Sequence, residues 1–115
     1  MTKMNVDKSI EVIKTDKAGP PVGPYSQGIK AGGFVFVAGE KGMDPITQKM
    51  VPGGIEPETR RTLENIKAIL EEAGSGMERV VSTFVFTTDL NEFAKRYCNF
   101  TNSVWPVSAL VSPVV

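Results

Sequence analysis

The sequence predicts an α+β domain in which a mixed β-sheet carries two helices packed on one of its faces. Two patterns support this fold class. Short segments with strand propensity alternate with two segments whose apolar residues recur every three or four positions. The predicted order is strand, strand hairpin, helix, strand, helix, strand, which suits helices on one side of a sheet. With 115 residues, the chain has room for one domain.

The first third of the chain is predicted to form three strands. Residues 10–15 are rich in β-branched side chains and predict the first of them. Residues 26–31 and 34–38 predict two more, joined by Gly32 and Gly33, because two glycines allow the positive φ angles of a tight hairpin turn. Prolines and glycines at positions 19 to 24 exclude regular structure there and predict a loop with a nearly fixed path.

Residues 56–73 predict the first helix. Pro57 suits its first turn, and Gly74 suits its end. Apolar residues recur along this segment at spacings of three and four: Leu63, Ile66, Ile69, Leu70 and Ala73. One face of the helix is therefore expected in the core.

The last third of the chain predicts a strand, a second helix and a further strand. Residues 80–88 carry bulky side chains at both odd and even positions, which predicts an interior strand covered on both faces. Asp89, followed three residues later by Glu92, has the pattern of a capping box and predicts the start of the second helix. Residues 107–111 predict the last strand, bounded by Pro106 and Pro113.

Composition and charge exclude several classes of function. The 13 basic and 13 acidic residues balance, so the surplus of positive charge typical of nucleic-acid binding is absent. The sequence has no histidine, which excludes Ser-His-Asp and Cys-His nucleophiles and histidine zinc sites. A single cysteine, Cys98, excludes an internal disulfide. With no long apolar run and a charged N-terminus, the chain is expected to be cytoplasmic and to have no membrane partner.

The second face of the predicted sheet has no obvious cover within the chain. Both predicted helices lie on the opposite face, and no further predicted element is available to cover it. Because an uncovered apolar sheet face is unfavourable in water, we expect a second copy of the chain to cover it. The sequence therefore predicts an oligomer.

Several short motifs follow one another in a characteristic order. They lie at residues 23–28 (GPYSQG), 34–39 (FVFVAG), 42–45 (GMDP), 53–56 (GGIE), 63–66 (LENI), 80–81 (VV), 84–86 (FVF) and 89–93 (DLNEF). In this order they closely resemble the RidA (YjgF) family of reactive-intermediate imine deaminases, some of whose members are described as endoribonucleases L-PSP or translation inhibitors. The resemblance covers about residues 10–94.

The resemblance implies a homotrimer of small α+β subunits with a chorismate-mutase-like architecture and ligand clefts between neighbouring chains. Such a cleft binds a 2-imino acid and adds water to it, which yields a 2-keto acid and ammonia without a metal or cofactor. A trimer agrees with the oligomer expected from the uncovered sheet face.

Four positions are candidate site residues under this resemblance. Tyr25 matches the cleft tyrosine, whose hydroxyl bonds to substrate or water, and Gly39 matches a glycine that presents its backbone at the cleft floor. Glu40 stands where the family more often has glutamine, so it is either a general base beside the cleft or a solvated loop carboxylate. Ser108 stands where the family has the arginine that holds the substrate carboxylate, and a serine supplies no positive charge.

These matches predict a single RidA-like domain, residues 1–115, that lacks the final strand of the family. They predict hydrolysis of 2-imino acids that is impaired by the missing arginine. Two alternatives stay open. One is a non-catalytic trimeric module that binds small metabolites or a protein partner in its clefts. The other is an endoribonuclease, which the neutral charge and the absence of histidine disfavour.

Overall fold

The computed structural model describes residues 10–89, 91–92 and 111–114. Its elements follow one another as β1 (Glu11–Ile13), β2 (Gly28–Ala31), β3 (Phe34–Val37), α1 (Ile55–Glu72), a single 3-10 turn (Met77–Arg79), β4 (Thr83–Phe86) and β5 (Val111–Val114). The α+β class predicted from the sequence is confirmed, with a helix packed against an antiparallel sheet.

Strands β1, β2 and β3 form that antiparallel sheet in sequential order. The turn between β2 and β3 is the predicted one, since Gly32 and Gly33 have φ angles of 57° and 82°. The register aligns Ile13, Gly28 and Val37 in one row that faces α1. The next row, Val12, Ile29 and Phe36, faces away from it.

Helix α1 lies against the inner face of this sheet. Its predicted apolar stripe is confirmed, because Leu63, Ile69 and Leu70 are all buried and Ile69 has no exposed surface. Burial of one such side chain contributes about 1.5–3 kcal/mol. The helix passes so close to β2 that a Cβ on Gly28 would lie 2.9 Å from Cγ2 of Ile69. Gly74, with a φ of 83°, ends the helix as predicted.

The strands of the last third differ from the prediction in two ways. β4 pairs in parallel with β5, so the described strands divide into two sheets and do not form the single mixed sheet expected. The prediction of full cover for the strand at 80–88 is also wrong within one chain, because Phe84 and Phe86 are 67% and 76% exposed. Bulky side chains at both odd and even positions indicate that both faces of the strand need to be buried. They do not show whether the same chain buries them.

The structure describes only parts of the last two predicted elements, the second helix and the final strand. At the predicted start of the second helix, Asn91 and Glu92 are helical, and Glu92 N donates to Asp89 Oδ1 at 3.0 Å. The rest of that helix lies outside the described residues. The last strand overlaps the predicted one only at Val111 and includes Pro113, which was expected to end it. Proline is tolerated at an edge, where its missing N–H faces no partner.

The outer face of the antiparallel sheet is apolar and open. Val12, Phe34 and Phe36 are each about three-fifths exposed, at 59%, 61% and 60%. Ile29 lies between Val12 and Phe36 in the same row. This is the face for which the sequence predicts cover by another copy, and that oligomer stays a prediction. No helix in the described ranges is long and apolar enough to cross a membrane.

Candidate functional site

Three of the four predicted site residues lie at the same end of the β2–β3 hairpin. Gln27 O accepts a hydrogen bond from Ala38 N at 2.9 Å, which extends the antiparallel pairing one residue beyond the strands. Tyr25 comes two residues before this pair, and Gly39 and Glu40 directly follow it. The fourth predicted residue, Ser108, lies outside the described residues.

The loop before β2 is held by a buried amide. Gln27 is 3% exposed, and its Nε2 donates to the carbonyl oxygens of Thr15 at 3.0 Å and Gly19 at 2.9 Å. Its Oε1 accepts from Thr15 N at 2.8 Å. These bonds join segments eight to twelve residues apart in sequence and fix the proline-containing loop against the sheet. The sequence pattern alone does not indicate this role of Gln27.

Tyr25 lies on the exposed side of that loop. Its side chain is 43% exposed, and its hydroxyl oxygen accepts a hydrogen bond from Val22 N at 3.3 Å. Its backbone N donates to Gly23 O at 2.8 Å, which closes the turn tightly. A phenol that accepts one bond keeps its own proton for donation. The geometry therefore holds a hydroxyl donor at the surface at this end of the hairpin.

The loop after β3 is held by a second buried amide, which comes from α1. Asn65 is 1% exposed, and its Nδ2 donates to Lys41 O at 3.1 Å and to Met43 O at 2.9 Å. Its Oδ1 accepts from Arg61 Nε at 3.1 Å, and Arg61 in turn forms an ion pair with Glu64 at 3.0 Å. The helix therefore fixes the path of the chain just beyond Glu40.

Close packing joins the two loops to each other and to the helix. A Cβ on Gly19 would lie 2.8 Å from Met43 Sδ, so the first loop touches the second. A Cβ on Gly42 would lie 2.7 Å from the Cα and the carbonyl oxygen of Glu58 in α1. A larger side chain at Gly42 would push the loop away from the helix backbone, whereas one at Gly19 would require the flexible Met43 side chain to shift. Both loops therefore belong to one packed scaffold.

Gly39 and Glu40 occupy the start of the second loop. A Cβ on Gly39 would meet no heavy atom of the described residues beyond its chain neighbours within 4 Å, so this stretch of backbone faces open space. Glu40 is half-buried. Its Oε1 is buried and has no hydrogen-bond partner among the described residues. Burial raises the pKa of the Glu40 carboxyl from 4.5 to about 7, although the neighbouring Lys41 ammonium acts in the opposite direction. Glu40 is thus not the freely solvated carboxylate that the sequence left as an alternative.

A separate open groove of about 510 Å³ lies at the start of α1. Its lining residues are Gly53, Ile55, Glu56, Pro57, Arg60 and Glu92. Of the predicted site residues that the structure describes, Tyr25, Gly39 and Glu40, none lines this groove. The predicted cleft was expected between neighbouring chains, whereas the residues that line this groove all belong to one chain.

The fold and these motifs define a small α+β protein of the RidA type. Residues 15–111 match the family model described as endoribonuclease L-PSP. The chain belongs to this family, which includes the RutC and RidA proteins.

Individual relatives agree with this assignment. A RutC family protein of Pyrococcus abyssi is 56% identical over 85 residues, which span 74% of this chain and 67% of the relative. The 2-iminobutanoate/2-iminopropanoate deaminase of Mus musculus is 39% identical over 83 residues, which span 72% of this chain and 62% of that protein. The crystal structure of RidA from an Antarctic Psychrobacter species superposes with a TM-score of 0.83 at 36% identity, covering 90% of this chain and 84% of the other.

Proposed function

We propose that this chain hydrolyses small 2-imino acids to 2-keto acids and ammonia in clefts between the subunits of a homotrimer. The observation that carries the proposal is the placement of Tyr25, Gly39 and Glu40 at one end of the β2–β3 hairpin. The similarity of this chain to the mouse 2-iminobutanoate/2-iminopropanoate deaminase supports the same reaction.

Imine hydrolysis needs a fixed water beside the imine carbon and groups that move protons. A hydroxyl, an open stretch of backbone and a carboxyl group are present at this end of the hairpin. Two buried amides, Gln27 and Asn65, hold the loops that carry them. Rigid placement of reacting groups supplies a large part of enzymatic rate acceleration. The reaction requires no redox step, so these groups match its chemistry.

The trimeric arrangement, with its chorismate-mutase-like packing, is part of the proposal. The outer sheet face, with Val12, Phe34 and Phe36 open, supports it because a neighbouring subunit would remove this apolar surface from water. The hairpin that carries this face also carries the site residues. A subunit packed on this face would contact the same hairpin, which supports a cleft between subunits.

The proposed activity is lower than that of relatives with an arginine at the position of Ser108. An arginine fork holds a carboxylate through two charge-assisted hydrogen bonds, each worth about 1.5–3 kcal/mol. Serine offers one neutral donor. We therefore expect weaker binding of the imino acid carboxylate and a higher KM.

The test measures hydrolysis of iminopropanoate or iminobutanoate that an amino-acid oxidase generates in the assay mixture. Release of the 2-keto acid should exceed the protein-free rate, and Tyr25→Phe should reduce the excess. Ile46→Ala, at a side chain 88% exposed, serves as a matched surface control and should behave as wild type. Saturable binding of a 2-keto acid without any turnover would instead favour a non-catalytic binding module.

A further inference from the structure

We propose that Glu40 is the proton-transfer residue of this site, a role that rests on the imine hydrolysis proposed above. Its carboxylate accepts a proton from the water that attacks the imine carbon and then delivers a proton to the nitrogen. The family more often has glutamine at this position, and an amide cannot take up the proton, so this role is specific to the Glu40 carboxyl group of this chain.

The first support is the state of the carboxyl group. Glu40 Oε1 is buried and has no hydrogen-bond partner in the described part of the chain. A buried acceptor without a hydrogen-bond partner is unfavourable, and more so when it is charged. The described residues supply no hydrogen bond to this oxygen. A water or substrate nitrogen bound beside Glu40 would supply one.

The second support is the fixed position of the group. Glu40 comes two residues after Ala38, which is paired with Gln27. Directly after Glu40, the chain is anchored by the bonds from Asn65 to Lys41 O and Met43 O. The residue is therefore fixed on both sides along the chain. A fixed base beside a bound substrate acts at a high effective concentration.

The third support is the charge environment. Lys41 on the same loop favours the ionised form, while burial opposes it more strongly and raises the pKa to about 7. From α1, the charged residues on the side of this loop are Glu58, packed against Gly42, and Arg61, bonded to Asn65. On the chain segment that leads into β2, Tyr25 is the titratable residue nearest in sequence to the Gln27–Ala38 pair. A carboxyl group with a pKa near neutrality can both accept and return a proton.

The reaction then proceeds in two balanced stages. The water oxygen forms a bond to the imine carbon while its proton passes to the Glu40 carboxylate, and the π electrons of the C=N bond move to nitrogen. Protonated Glu40 returns that proton to nitrogen, which gives a neutral carbinolamine. In the second stage Glu40 accepts the hydroxyl proton, the C–N bond breaks as the C=O bond forms, and Glu40 protonates the departing nitrogen. The products are the 2-keto acid and ammonia, and no other reactant is consumed.

The decisive variant is Glu40→Gln, which keeps the size of the side chain and removes its titratable carboxyl group. We expect kcat/KM for iminopropanoate to fall about 10²–10⁴-fold. The hydrolysis rate of the wild-type protein should rise with pH, with its midpoint near pH 7. The rate of Glu40→Gln should not show this rise. Glu72→Gln, at an exposed carboxylate near the end of α1, is the matched control and should keep both the rate and the pH profile.

A second variant separates lost chemistry from lost structure. Glu40→Ala leaves space for a small carboxylate, so added formate should restore part of the activity of a folded variant. A wild-type rate and pH profile in Glu40→Gln would overturn the role of Glu40 and leave the proposed function intact. No hydrolysis by the wild-type protein would overturn the proposed function and this role together. Failure of formate to restore any activity in folded Glu40→Ala would also count against proton transfer by this residue.

Discussion

Asn65 Nδ2 donates a hydrogen bond to Met43 O at 2.9 Å, across 22 positions of sequence. The same amide nitrogen also donates to Lys41 O at 3.1 Å. A helix side chain therefore replaces the strand partner that the backbone loses after β3 ends. The position of Glu40 depends on this link, because Lys41 follows it directly.

Replacement of Asn65 by alanine should destabilise the protein by about 2–4 kcal/mol, since two carbonyl groups lose their shared partner. Urea unfolding of Asn65→Ala and wild type measures this difference. Lys67→Ala, at an exposed position of the same helix, should change the free energy of unfolding by less than about 0.5 kcal/mol. Equal stability of Asn65→Ala and wild type would show that water replaces the amide without loss.

Gln27 gives the matching prediction for the first loop. Gln27→Ala removes the bonds to Thr15 and Gly19, so we expect a loss of about 2–4 kcal/mol. Amide hydrogen exchange at Thr15 should accelerate, because its N–H loses the Gln27 acceptor. Lys14→Ala, at an exposed neighbouring position, should leave that exchange rate unchanged. Unaltered protection of Thr15 in Gln27→Ala would contradict the proposed anchor.

The two amides, Asn65 and Gln27, also show which contacts the sequence alone cannot predict. Hairpin glycines, helix α1 and the Asp89 cap follow from local spacing, and the structure confirms them. Asn65 and Gln27 are polar residues whose partners lie many positions away, and local periodicity contains no information on such contacts. The environment of Glu40 is equally non-local, because its burial depends on how the loops pack. The sequence could select the residue through the family resemblance but could not show that its oxygen is buried.

The stability of the protein should depend on pH through Glu40. Its folded-state pKa of about 7 lies above the ordinary value of 4.5, so the folded protein holds an additional proton between these values. The stability that this proton contributes is fully present below about pH 4.5 and is lost as the pH rises through about 7. Glu40→Gln should remove this decline. Thermal unfolding of both proteins across pH 4 to 8 tests it, and parallel curves would contradict the raised pKa.

A charge placed on the apolar outer face of the sheet should prevent the subunits from assembling. Phe36→Glu places a charge in the row of Val12 and Ile29, and a charge buried against a neighbouring subunit without a partner is strongly unfavourable. Light scattering after size-exclusion chromatography should show a trimer for wild type and a smaller species for the variant. Ile46→Glu, also at an exposed apolar side chain but off the sheet, should remain trimeric. A wild-type monomer would contradict the assembly.

Restoring the arginine fork should raise activity. The family resemblance places Ser108 where the carboxylate-binding arginine stands, so Ser108→Arg adds a group that forms two parallel charge-assisted hydrogen bonds with the substrate carboxylate. One such bond is worth about 1.5–3 kcal/mol, which corresponds to a gain of roughly 10- to 100-fold in affinity for a 2-keto acid. Calorimetric titration with 2-ketobutanoate measures this gain. Ser108→Lys carries the same charge without the planar fork and should gain less, because an ammonium is a point charge. Equal gains for both variants would show that charge alone matters, and no gain for either would remove Ser108 from the carboxylate site.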